Sequence, residues 1–541
     1  MLVLKDEVGP GPLEDRRQRK SSWVASAVEV LLILVVFFLF AGGPTPDVNE
    51  AHYLAKAKHF WNPDYCLGDH FLGSEDAHAV FYWAFGWVTL FLSLPATAWL
   101  GRVLIWLLLA WGWQRVSYGC IPCRLLAVLT ATLFVCLTHY GHFAGEWVVG
   151  GVEAKGFSFA CLLFALAYLV RDRWTPTWLF VGIATAFHVL VGGWSFCGLL
   201  LVSLRNRGIR GTCQSWRPIL VAALFALPGI WPAIQLTDIA TPEQVGAANE
   251  IYVFERLSHH LVFHRIFYSH GGLFAWRFGA LLLGWICFAW ILRRNERVQR
   301  LYTLVAAAVV IALVGVLIDQ VTLWHRAEAA FWLRFYWFRL ADVMVPLAVA
   351  IGAGVWWYTV RLNRLLLGQS LLLVLLLFAG AGLGSRALER RTEKRPAATL
   401  QADPAATGRV RSAWERYADW VRVCQWIRSN TRSGSRFLTP VRQQTFKWYA
   451  HRSEIATRKD VPQNARSLLQ WHQRMQFVTT FQRRRGEPGA LPDLLAQVAS
   501  YGITHIVIDR PLEDGGIPLA RVYPLGVQRN RHFFVYRVMP Q

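Results

Sequence analysis

The stretch Ala79-Val-Phe-Tyr-Trp-Ala-Phe-Gly-Trp-Val-Thr-Leu-Phe-Leu-Ser-Leu94 is apolar enough to cross a membrane, and whether it does decides the orientation of everything after it. Candidate spans lie near 23–42, 97–114, 121–138, 156–170, 175–191, 193–204, 218–236, 272–292, 301–318, 336–358 and 364–382. Short loops rich in Arg and Lys stay cytoplasmic. Here they are Arg115 with Arg124, Arg171 with Arg173, Arg205 to Arg217, Arg293 to Arg300, and Arg361 with Arg364. If 79–94 crosses, all of these loops lie opposite the basic N-terminus; if it lies flat, all of them join it. The pattern predicts an interfacial helix at 79–94, about eleven transmembrane helices, a cytoplasmic N-terminus and an outer C-terminus. Within 175–204 it predicts two short helices meeting at Gly192-Gly193.

Composition agrees with this reading. Of 541 residues, 55% are hydrophobic, with 27 Trp and 33 Phe suited to lipid interfaces and helix packing. The net charge of +22 suggests nucleic acid in a soluble protein, but the Arg residues sit between apolar runs or in the tail, so no nucleic-acid partner is expected. Most of the nine Cys lie inside apolar runs and imply no disulfide framework. Cys120-Ile-Pro-Cys123 has redox-motif spacing without the strand and helix context that would support it. The run Trp23–Ala41 is too long for a signal h-region and reads as a retained span. The expected divisions are a cytoplasmic segment 1–22, a membrane bundle 23–385 with a first outer loop 43–96, a linker 386–408, and an outer α/β domain 409–541. That domain should hold helices over Trp414–Asn430, Ser467–Phe477 and Leu491–Tyr501, and strands at Arg436–Leu438, Ile503–Ile508 and His532–Val538.

With this orientation every histidine falls outside or near an outer helix end, so chemistry is expected on the outer face. The first outer loop carries Asp47, Asn49, Glu50 and His52; on a helical turn Asp47 and Glu50 share a face, which suits a general base, a metal ligand or simply an N-cap. Glu146, Glu153 and Lys155 flank Gly150-Gly151, whose bare backbone permits close approach by a ligand. His260 and His264 are spaced for a shared helix face but lack an HExxH pattern, so a divalent metal ion remains open. Arg334 precedes Arg339 and Asp342, which are expected to pair with each other or with a ligand phosphate. In the tail, Phe446 to Arg452 could hold a saccharide or lipid head group, or form a hairpin against the bundle.

This layout resembles the GT-C class of membrane glycosyltransferases, which take a sugar from a polyprenyl-phosphate carrier. The resemblance rests on the acidic first outer loop, the interfacial helix, the span opening with Arg102, the Glu146 and Glu153 loop, and the outer tail. The strings Asn49-Glu-Ala-His-Tyr53, Gly145-Glu-Trp147 and Arg436-Phe-Leu-Thr-Pro440 are similar to an uncharacterised bacterial family with a C-terminal domain of unknown function. The class commonly shows adjacent carboxylates or an acid-x-acid pattern, whereas Val48 and Asn49 separate these two. The resemblance implies a catalytic base at Asp47 or Glu50 and a substrate and phosphate site formed by His52, Glu146, Glu153, Lys155, Arg334, Arg339 and Asp342. It also implies a polyprenyl-phosphate-linked sugar donor, a glycan, lipid or protein acceptor, and residence in a bacterial inner membrane with a periplasmic tail. A lipid-linked substrate transporter should show a mid-membrane site and internal repeats, which the sequence lacks. A non-catalytic assembly protein fits the split carboxylates.

Overall fold

A computed structural model describes residues 12–400 except 239, and residues 410–539 except 488 and 513–518. The start of the expected cytoplasmic segment and the end of the expected linker, 401–408, lie outside the described residues. The chain is an α-helical integral membrane protein with a small C-terminal α/β domain. Among the described residues, eight helices are long and apolar enough to cross a membrane. Three other apolar stretches, read as spans from sequence, form shorter helices: Leu126–Gly141, Ala154–Leu169 and Trp174–Phe187. At 16, 16 and 14 residues and about 1.5 Å per residue, they fall short of a hydrocarbon layer about 30 Å thick. They survive because protein surrounds them: Leu162, Leu166, Trp178 and Val181 have no solvent contact.

Glycines set how closely these inner helices approach. A Cβ on Gly182 would stand 2.3 Å from the Ala222 carbonyl, and one on Gly229 equally close to the Ala186 carbonyl, so Trp174–Phe187 and Trp216–Gln235 meet backbone to backbone. The break expected at Gly192-Gly193 lies instead at His188, whose extended backbone separates Trp174–Phe187 from Val189–Cys213. Gly192 remains helical because it fits against the Thr185 backbone, where a Cβ would approach within 2.3 Å. It works as a close-approach point, and the break falls one helical turn earlier, at His188.

The stretch 79–94 forms a helix Ala79–Phe85, a 3₁₀ turn Gly86–Leu90, and the start of the long helix Leu94–Cys120, capped by Ser93. Trp83, Trp87 and Phe91, spaced by four, are all exposed, as an aromatic face at a lipid interface would be. The last long helix, Leu365–Thr392, continues into the stretch expected to be linker.

The tail holds a five-stranded mixed sheet of β1 (Arg436–Leu438), β2 (Ser453–Glu454), β3 (His505–Ile508), β4 (Leu519–Tyr523) and β5 (Phe534–Val538), in the order β2-β1-β3-β5-β4. β1 runs parallel to β2 and β3, while β5 is antiparallel to β3 and β4. Helices Val410–Asn430, Ala465–Arg484 and Leu491–Ser500 accompany the sheet. The tail is bound to segments that link the bundle helices: Arg256 donates to the Arg458 carbonyl at 2.8 Å, Ala77 N–H to Gln463 at 2.9 Å, and Ala465 N–H to the Leu236 carbonyl at 3.2 Å. That junction encloses the site.

Candidate functional site

The segment 142–153 descends from the end of Leu126–Gly141 and returns at Glu153, which begins Ala154–Leu169. Trp106, midway along Leu94–Cys120, donates to the Gly150 carbonyl at 2.9 Å, so this irregular segment reaches well below the helix ends. Backbone without regular pairing is tolerated at that depth only inside protein. Asp342 supplies the missing acceptors: its carboxylate takes the N–H groups of Phe143, Ala144 (2.8 Å) and Glu146 (3.1 Å).

A cavity of about 730 Å³ opens above this segment, between bundle and tail. Its bundle wall carries Glu146, Glu153, Lys155, Arg256 and Arg339; its tail wall carries Arg442, Arg458 and Lys459. Six cations thus face two carboxylates, and the excess favours an anionic ligand. Glu146 is saturated, with Lys155 Nζ on one oxygen and Arg339 Nε 2.5 Å from the other. Burial opposes its ionisation, but the two cations hold its carboxyl below the usual range. Glu153 differs. Its Oε2 accepts from Asn49 Nδ2 at 3.1 Å, while its buried Oε1 lies 3.5 Å from Lys155 Nζ and has no hydrogen-bond partner among the described residues. Burial pushes the Glu153 carboxyl above its ordinary pKa, and Lys155 offsets this only in part. Across the cavity, burial and the neighbouring Arg256 push the Lys459 ammonium down to about 8.

Residues 418–478 match a family described as Domain of unknown function (DUF6798), a segment containing the Arg436–Pro440 string. No curated protein matches the chain. Among solved structures, an oligosaccharyltransferase AglB from Archaeoglobus fulgidus, in complex with an inhibitory peptide and a dolichol-phosphate, aligns at 12% identity over 90% of this chain and 69% of that one, with a TM-score of 0.46. ArnT from Cupriavidus metallidurans bound to undecaprenyl phosphate aligns at 13% identity over 96% of this chain and 100% of that one, with a TM-score of 0.46. The apo state of the same ArnT gives 12% identity, 97% and 100% coverage, and a TM-score of 0.40.

The structure rearranges the expected site. Glu50 lies outside the cavity: it is fully buried, both oxygens are held by Arg102 at 2.6 Å, and it also accepts from Val152 N–H (3.0 Å) and Asp47 N–H (2.7 Å). A carboxylate so occupied has no lone pair free to take a proton. Asp47 lines a neighbouring smaller chamber instead. Gly151 does permit close approach, but by Asp47 and Glu50, whose side-chain carbons stand 2.7 and 2.8 Å from where its Cβ would be. His52 lines the cavity, yet its Nδ1 pairs with Asp460 at 3.1 Å. Arg334 donates to Asn249 at 2.8 Å and lines an adjoining chamber of about 290 Å³. The expected Arg339 and Asp342 pair does not form, since Arg339 turns to Glu146 and Asp342 to the loop amides.

His260 and His264 do not converge as metal ligands. His260 Nδ1 meets the Ala144 carbonyl at 2.5 Å, while His264 faces Asp319. Among the described residues no group of three His, Cys, Asp or Glu side chains is arranged to hold a metal ion. The tail stretch Phe446 to Arg452 is turned inward: Phe446, Lys447 and Trp448 are buried. The tail's charged cavity residues, Arg442, Arg458 and Lys459, were missed by sequence reading; the charged Arg458-Lys459-Asp460 run was a signal for two of them.

Proposed function

We propose that this chain is a membrane glycosyltransferase that moves a sugar from a polyprenyl-phosphate carrier to an acceptor, within the cavity between bundle and tail. The observation that carries this reading is Glu153: a buried carboxylate with raised proton affinity, one oxygen of which accepts no hydrogen bond among the described residues, facing a cavity otherwise dominated by cations. A general base works best when its pKa approaches the working pH, which burial promotes here. In the proposed step Glu153 takes the acceptor hydroxyl proton as the oxygen attacks the sugar. The sugar–phosphate bond breaks, and the departing phosphate meets Lys155, Arg339, Arg458 and Lys459. Orientation follows the charge rule, with basic loops and N-terminus cytoplasmic and the cavity on the outer face. The AglB and ArnT structures, solved with dolichol-phosphate and undecaprenyl phosphate, suggest the carrier class to try first.

The test uses purified full chain in vesicles, a labelled sugar on undecaprenyl phosphate, and a membrane extract as acceptor source. Wild-type protein should label an acceptor, and Glu153→Gln should slow transfer by about 10²- to 10⁴-fold, the usual worth of a positioned base. Full activity in that variant removes Glu153 from its role, and no labelling from any polyprenyl carrier removes the enzyme reading itself.

A further inference from the structure

A second chamber of about 250 Å³ lies beside the main cavity, framed by Phe40, Thr138, His142, Trp147, Arg386 and Arg390. It meets the main cavity only at Val48 and the segment 145–147. Its other walls come from Asp47, His142, the stretch 148–150 and three helices, Pro12–Ala41, Leu126–Gly141 and Leu365–Thr392. The last of these exposes Leu373, Leu376 and Leu377, a surface suited to lipid.

Three buried atoms of this lining have no hydrogen-bond partner among the described residues: Thr138 Oγ1, His142 Nδ1 and Arg386 Nε. Buried polar groups are nearly always satisfied, so three orphans around one chamber indicate a missing partner. Each can donate, His142 in the tautomer protonated at Nδ1, and Arg386 Nε can only donate. A ligand with several acceptor oxygens would satisfy all three. Charge narrows its class. Arg386 and Arg390 bring two guanidiniums, of which Arg390 donates to the Phe40 carbonyl and Arg386 pairs through Nη1 with Glu389. Of the lining carboxylates, Glu146 is already neutralised by Lys155 and Arg339, and Asp47 accepts the Val48 amide at 2.8 Å. Phe40, Phe134 and Val135 complete the wall with apolar surface.

We propose that this chamber binds the phosphate head group of a membrane lipid, at a site separate from the main cavity, with the acyl chains lying along the helices that frame it. Guanidinium and hydroxyl donors suit phosphate oxygens, and the apolar helical wall favours a lipid over a free anion. This proposal stands independently of sugar transfer, because its readout is binding.

Purified full chain in a neutral detergent is titrated with phosphatidylglycerol, with diacylglycerol, which lacks the phosphate, and with inorganic phosphate; undecaprenyl phosphate reports on the main cavity. Phosphatidylglycerol should bind at least tenfold more tightly than diacylglycerol, and inorganic phosphate should not displace it at equal concentration. Arg386→Gln and the near-isosteric Thr138→Val should each weaken phosphatidylglycerol by threefold or more, and undecaprenyl phosphate by less than twofold. Arg386→Lys, which keeps the charge, should recover part of the loss and show that the fold is intact. Equal binding of diacylglycerol overturns the phosphate site, and displacement by inorganic phosphate overturns the lipid as its source. Variants that leave phosphatidylglycerol unchanged, or weaken both lipids equally, overturn the separate chamber.

Discussion

Arg102 holds Glu50 by both ends of its guanidinium, with Nε 2.6 Å from Oε1 and Nη2 2.6 Å from Oε2, and neither side chain meets solvent. The same Arg102 donates to the Gly43 carbonyl, and Glu50 accepts from Val152, so this ion pair joins the end of the first helix, the loop that follows it and the segment held by Trp106. It is a brace under the cavity floor. Removing one partner of a buried pair costs about 3–5 kcal/mol. Glu50→Gln and Arg102→Met should each lower the melting temperature in detergent markedly, while the double replacement loses less than the two single changes combined. A Glu50→Gln protein that melts like wild type yet fails to transfer sugar would return Glu50 to the catalytic role expected from sequence.

Glu153 should leave its mark on the pH profile. Its carboxyl is raised by burial, so the basic form develops only as pH rises through that raised value, and transfer should fall on the acid side above the ordinary carboxylate range near about 4.3. In Glu153→Gln the same acid limb should vanish along with most of the rate. If the limb persists in the variant, another group titrates there.

Lys459 predicts the alkaline side. Its ammonium, pushed down to about 8, is charged below that pH and neutral above it, so affinity for a phosphate carrier should fall as pH rises through that region. Lys459→Arg keeps its charge and should hold affinity at pH values of about 9; Lys459→Gln should bind weakly throughout. Titration with undecaprenyl phosphate measures this. A wild-type affinity that is flat across the same range contradicts a role for Lys459 in binding the anion.

Much of the helical framework was legible because long apolar runs have few alternatives. Arg436–Leu438 was placed residue for residue, and two of the tail helices to within a few positions, while the helix expected to end at Phe477 runs on to Arg484. What escaped depends on chain contacts that sequence spacing does not encode. Gly192 looked like a break but is a packing point, because Thr185 sits against it. Asp47 and Glu50 looked like the chemical pair of the first loop, yet Arg102, some fifty residues on, takes Glu50 away. Glu146, Glu153, Lys155 and Arg339 line one cavity together. Lys459 could not be found that way, since it reaches the cavity only through the docking of a separate domain. Leu519–Tyr523 was missed as a strand because its burial is weak and β5 alone flanks it.

That docking rests on Lys447, whose ammonium lies 2.6 Å from Glu454, 2.6 Å from Asp460 and 3.6 Å from Asp69 of the loop after the first helix. The Glu454 amide donates to Asp69 at 3.1 Å, Tyr65 donates to the Lys447 carbonyl at 2.6 Å, and Asp460 pairs onward to His52. Burial works against the charge on Lys447, but the three carboxylates hold its pKa well above the usual value. Burial pushes the Glu454 carboxyl up to about 7, against the pull of Lys447. Lys447→Met leaves buried carboxylates without their cation, a loss of about 3–5 kcal/mol concentrated at the seam between tail and loop. Limited trypsin digestion should then cut the Arg-rich tail of Lys447→Met at least tenfold faster than wild type, and replacing Glu454 and Asp460 by their amides in the same protein should slow it again. Because Arg458 and Lys459 adjoin Asp460, binding of undecaprenyl phosphate should weaken in parallel with tail release. A Lys447→Met protein that resists trypsin as wild type does would place the anchoring of the tail in its apolar contacts instead.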